Sequence, residues 1–127
     1  MNRLRQNTLA IVALFVCLGL TACHSPFVKT SIANHTGNTV KLIEVDYPSA
    51  SFGTQQIADN ATYHYRFQIQ GPGKVKISYT GEDNKVYKST GPELIKNQEG
   101  SLLVTLEPDG KVTWVPELKT ARTVFGW

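Results

Sequence analysis

From Val28 onward the apolar residues fall at every second position, the spacing that turns one side of an extended strand toward a core and the other toward water. The clearest run is Tyr63, Tyr65, Phe67 and Ile69, alternating with His64, Arg66, Gln68 and Gln70. A second run, Val75, Ile77 and Tyr79 alternating with Lys74, Lys76 and Ser78, follows closely. Gly71-Pro72-Gly73 separates them and reads as a tight turn, so the two are expected to form a hairpin of antiparallel neighbours. Val28 to Ala33, Val40 to Tyr47, Lys85 to Lys88, Leu102 to Leu106 and Val112 to Val115 are short, rich in β-branched or aromatic residues, and bounded by Gly, Asn, Asp or Pro. Within Val40 to Tyr47 the apolar phase slips between Leu42 and Ile43, which predicts a bulge or burial on both faces. Pro108-Asp109-Gly110 predicts a second hairpin between Leu106 and Val112.

No segment carries a sustained helical period, although Gly91 to Gly100 has room for one helical turn. The expected fold is all-β: a small antiparallel β-sandwich, immunoglobulin-like or similar, of about seven short strands over residues 28–116. Residues 117–127 are expected to form a C-terminal tail.

The first 22 residues follow another rule. Met1 to Gln6 carries two arginines and no acid, Leu9 to Leu20 is an apolar run of twelve residues, and Thr21-Ala22 is small. This is the layout of a secretory signal peptide. A spanning helix needs about 20 apolar residues, and this run is shorter. The run ends in Leu20-Thr21-Ala22-Cys23, which resembles the lipobox of bacterial lipoproteins. The resemblance covers the first 23 residues. It implies that residues 1–22 are removed and that Cys23 carries a diacylglycerol on sulfur, with further acylation of the new N-terminus.

His24, where an aspartate would otherwise stand, resembles the pattern that Gram-negative cells send to the outer membrane. The periplasmic face of that membrane is then the expected location, with the membrane itself as partner through the lipid at Cys23. Two or three acyl chains anchor stably where one is marginal. Residues 23–27 would form a tether of about 15 Å when extended, keeping the domain close to the lipid.

Composition agrees with one folded domain: 41% hydrophobic and 18% charged residues over 127 positions. Without Arg3 and Arg5 the chain holds 11 basic and 10 acidic residues, a net +1. That balance gives no electrostatic footprint for nucleic acid. Cys17 would leave with the signal, so Cys23 is the lone cysteine of the mature chain and no disulfide framework is expected. Two N-x-T triplets, at Asn34 and Asn60, arise readily by chance in a chain of this composition.

Candidate chemistry is sparse. His24, His35 and His64 include no close pair of the kind metal sites use, and Met1 is the sole methionine, so no metal and no cofactor are expected. The polar row His64, Arg66, Gln68 and Gln70 is a candidate binding surface, set against the plainer reading of a solvated strand face. Tyr47 and Phe52 join it from the segment Tyr47-Pro48-Ser49-Ala50-Ser51-Phe52-Gly53, which reads either as a binding loop or as a Pro-initiated turn whose aromatics cap the core.

Ser49 and Ser51 lack the nucleophile elbow, and no histidine and acid together stand near them in sequence to activate them. Glu44 and Asp46 share a strand face, but glycoside hydrolysis would also need a saccharide cleft. Thr123, Phe125 and Trp127 alternate at the end of the chain. A terminal aromatic resembles the last strand of outer-membrane barrels, yet the other strands are too short for a barrel. Phe125 and Trp127 are expected to pack on the domain, meet lipid or bind a partner.

The expected function is thus a membrane-anchored envelope lipoprotein whose non-catalytic module binds an envelope protein or glycan, or acts as a scaffold. The alternative is a small periplasmic hydrolase with a site near Ser49, Ser51 and His64.

Overall fold

A computed structural model describes residues 25–121, and strands dominate them. Eight strands follow in order: β1 (Val28–Asn34), β2 (Val40–Tyr47), β3 (Ala50–Ile57), β4 (Thr62–Phe67), β5 (Gly73–Thr80), β6 (Val86–Leu94), β7 (Gln98–Leu106) and β8 (Val112–Thr120). One sheet has the order β4-β1-β7-β8 and the other β3-β2-β5-β6. The two pack face to face over one core, whose fully buried members include Ile32, Val45, Val75, Ile77, Leu94, Leu102, Val104 and Leu106. The expected sandwich is therefore present, with eight strands where about seven were counted. Its strand order differs from the ABED and CFG sheets of an immunoglobulin constant domain. One pair, β1 with β7, is parallel.

Three local expectations are corrected, and one of the two readings of the Tyr47-to-Gly53 segment is selected. The Tyr63-to-Ile69 and Val75-to-Tyr79 runs are not hairpin partners: β4 pairs with β1 at the edge of one sheet, while β5 lies between β2 and β6 in the other. Gly71-Pro72-Gly73 belongs to a crossover between sheets, and Phe67 at the end of β4 and Ile69 within the crossover are both buried. Both strands cover the same inner layer, so alternation alone looks identical for neighbours in a sheet and for strands facing each other across a core.

The Tyr47-to-Gly53 segment is a two-residue turn at Pro48-Ser49 leading directly into β3. Ser49 has φ 80, and with proline before it this is the signature of a type II turn. Gly91 to Gly100 holds no helix, since it ends β6, turns at Lys96-Asn97 and begins β7. Finally, β8 runs to Thr120 in register with Gln98, so residues 117–120 are strand and not tail.

Two other expectations hold. Leu42 has φ 51 and is exposed, and the β2–β5 register slips between Lys41 and Glu44, which is the bulge the phase shift predicted. The β7–β8 hairpin closes around Pro108-Asp109-Gly110.

Because successive strands alternate in direction, the connections divide between two ends. Ser25 to Phe27, the Pro48-Ser49 turn, the 68–72 crossover, the 95–97 turn and Ala121 lie at what is here termed the entry end. The loops 35–39, 58–61, 81–85 and 107–111 lie at the far end. Buried Asn34 ties the 35–39 loop to the end of β3: its amide nitrogen donates to Asn38 O (2.7 Å) and Ile57 O (2.9 Å), and its Oδ1 accepts from Thr36 N and Oγ1. An asparagine sealed in this way has no free amide for a glycan.

Candidate functional site

The residues singled out from sequence separate into three groups. His64 and Arg66 do sit side by side on the outer face of the first sheet. His64 Nδ1 and Ser31 Oγ form a hydrogen bond across β4 and β1 (3.0 Å), and the Arg66 guanidinium lies 4.4 Å from the Phe27 ring centroid. Gln68 and Gln70 lie beyond the end of β4, in the crossover, so the polar row stops after two residues.

Tyr47 and Phe52 face inward. Tyr47 packs on Phe67 (4.2 Å between centroids), and Phe52 is buried and stacks on Tyr65 (4.1 Å, 14°). They close the seam between edge strands β3 and β4, helped by Tyr63 Oη donating to Gly53 O (3.2 Å). This is the core-capping reading of that segment and separates Tyr47 and Phe52 from the His64 face. Burial, then the nearby Tyr65, raises the Tyr47 pKa above the ordinary phenol value.

Ser51, Glu44 and Asp46 are exposed on the outer face of the second sheet, while His64 is on the outer face of the first. The core lies between them, so Ser51 and His64 do not come together, and the bonded partner of His64 is Ser31. Among the described residues no group of three or more His, Cys, Asp or Glu is placed to hold a metal ion. Cys23 and the Phe125-to-Trp127 tail lie outside the described residues.

One polar feature was not anticipated. At the far end, the β5–β6 and β7–β8 turns face one another across the sandwich and enclose a cavity of about 410 Å³ lined by Tyr79, Glu82, Asp83, Tyr87, Asp109 and Gly110, among others. Tyr87 Oη donates to Asp83 Oδ2 at 2.6 Å, and the Lys85 amide donates to Asp83 Oδ1 at 3.1 Å. These two donors hold the Asp83 carboxyl below its usual pKa, and the same bond pushes the Tyr87 phenol up.

The Tyr87 ring lies against Tyr79 (5.4 Å, 24°) and is flanked by Gly81 and Gly110. A side chain at either glycine would run into it: a Cβ on Gly110, whose φ is 77, would stand 2.5 Å from the ring. Tyr79 itself is 2% exposed, and its hydroxyl has no hydrogen-bond partner among the described residues. A buried hydroxyl left in this state costs about 1–3 kcal/mol. Burial, followed by the charge of Asp83, raises its pKa. In sequence, Gly81-Glu82-Asp83-Asn84 and Pro108-Asp109-Gly110 each signal a turn, but nothing local shows that they meet.

No family model matches the chain, and no curated protein matches it. Among solved structures, the NMR structure of a protein from Eubacterium rectale is similar: it is 12% identical, with a TM-score of 0.52, over 70% of this chain and 86% of that one. At that identity the likeness is one of fold, and the chain is a two-sheet β protein of the same general build.

Proposed function

We propose that the chain is a lipid-anchored envelope lipoprotein, a non-catalytic binding or scaffold module that stands with its entry end on the membrane and its far end toward the compartment. The observation that carries this reading is how soon the fold begins after Cys23. Phe27 is already fastened, with its carbonyl accepting from the Gly100 amide (3.2 Å) and its ring under Arg66, and β1 starts at the next residue. A lipid on Cys23 would then lie within about 15 Å of the sandwich.

The chain also leaves β8 at this end, where the Ala121 amide donates to Asn97 O (2.7 Å), so a tail ending in Phe125-Gly126-Trp127 starts on the membrane side. Tryptophan suits the lipid–water interface, being apolar with one N–H to satisfy. Charge supports the same orientation. The far-end loops carry Asp59, Glu82, Asp83, Glu107 and Asp109 against Lys85 and Lys111, whereas the entry-end turns carry Lys96 and no acid. An anionic lipid surface favours the less acidic end.

The test is Cys23→Ser in the full chain, followed with labelled fatty acid. The variant should accumulate as an unprocessed precursor without label. Trimming and labelling at wild-type levels would remove the lipoprotein reading.

A further inference from the structure

We propose that the far-end cavity is a recognition site for an organic cation, an ammonium or guanidinium group of the kind lysine and arginine side chains carry, seated between the Asp83 carboxylate and the Tyr79 hydroxyl. Acidic loops alone would say little, since exposed carboxylates are ordinarily just solvated. Tyr79 is the independent observation. Its side chain forms part of the cavity wall, is almost wholly buried, and carries a hydroxyl without a partner among the described residues. Folded proteins pair nearly all such groups, so an unpaired one beside a cavity marks a place where something else completes the bonding. The hydroxyl also lies within electrostatic reach of Asp83, as the raised pKa of Tyr79 reports.

The sign of the charge selects the ligand class. Glu82, Asp83, Glu107 and Asp109 line the cavity, and among the described residues no basic one does. Among the described residues, Glu107 alone of these four has an ion-pair partner, Lys111 at 3.6 Å. These carboxylates are not gathered into a metal-binding group, which favours an extended organic cation with several N–H donors over a bare ion. Tyr87 provides the gate. Its ring covers Tyr79 and is held by one hydrogen bond to Asp83, so a cation that takes up the Asp83 carboxylate releases Tyr87 and uncovers the hydroxyl beneath. Gly81 and Gly110 flank the ring so closely that a Cβ on either would meet it. The inference relies on the anchoring reading only for the direction from which a partner arrives.

The experiment is a ¹⁵N NMR titration of the full chain in detergent micelles with N-acetyl-lysine methylamide and N-acetyl-arginine methylamide, using uncharged N-acetyl-norleucine methylamide as control. Saturable shifts are expected at the amides of Gly81, Asp83, Lys85 and Gly110 with a dissociation constant of about 1–10 mM, and none with the control. Asp83→Asn should weaken binding about fivefold or more. Tyr79→Phe, which keeps the ring and so the packing, should weaken it about threefold while leaving thermal stability equal or higher. Unsaturable shifts, equal shifts at Glu44 and Asp46 on the outer sheet face, or wild-type binding by Tyr79→Phe would each overturn the proposal. Repeating the titration with Cys23→Ser keeps the two readings apart, because loss of the anchor leaves this site unchanged.

Discussion

The two long seams of the sandwich are closed in opposite ways. Along β3 and β4 the closure is collective: Tyr47, Phe52, Tyr65 and Phe67 form a continuous stack of rings from both sheets. Along β6 and β8 it centres on one side chain. Trp114 of β8 reaches across to β6, lies directly over Gly91, and donates from Nε1 to Ser89 Oγ at 3.0 Å. The first seam is held by apolar area, which is non-directional and spread over several rings. The second depends on a fitted shape and one hydrogen bond. A seam of the first kind tolerates loss at its rim but not at its centre; a seam of the second kind is sensitive to a single added atom.

The largest expected effect tests the centre of the ring stack. Phe67→Ala removes the most buried of the four rings and should cost about 3–5 kcal/mol by urea unfolding. Next comes Gly91→Ala on the other seam. The new Cβ would stand 2.6 Å from the Trp114 indole, so the ring must lift, and the expected loss is about 1–3 kcal/mol even though alanine suits a strand better than glycine. A neutral result would mean that the indole does not hold that seam.

Trp114→Phe keeps an aromatic over Gly91 but loses the bond to Ser89 and should cost about 0.5–1.5 kcal/mol. Smallest is Gln68→Ala, one position from Phe67 but turned out of the core, expected within about 0.5 kcal/mol of wild type. Similar losses at positions 67 and 68 would break the register on which the whole comparison stands.

The two seams also differ in what the sequence discloses. Aromatic alternation at Tyr63, Tyr65 and Phe67 marks an inward face because the period of two is a local property. For the same reason the slip at Leu42 announces its bulge. Which sheet a strand joins is not local, and so the Tyr63-to-Tyr79 region reads as a hairpin when it is a crossover. β3 escapes notice because only Phe52 and Ile57 are buried in a strand otherwise made of Ala, Ser, Gly, Thr and Gln, as an edge strand allows. The fit of Trp114 onto Gly91 joins residues from different sheets, and no spacing rule links them. The candidate site follows the same division: Tyr79 is legible as a core residue, but its unpaired hydroxyl and the opposing acidic turns appear only when β6 and β8 close the far end.

The parallel pairing of β1 with β7 bears on the order in which the molecule is assembled. β1 occupies an interior position in its sheet, yet Val28 is in register with Gly100, and the last β7 residue paired with it is Leu106. The earliest of the described strands to be synthesised therefore waits for nearly the latest of them before it has both neighbours. Closing so long a loop is slow and is rewarded only at the end, so the chain should remain open through most of its emergence. β4 can reach β1 sooner, which leaves the opposite edge of β1, and its unpaired backbone groups, exposed meanwhile. Fragments that stop short of residue 98 should accordingly fail to hold the first sheet together, however complete their second sheet.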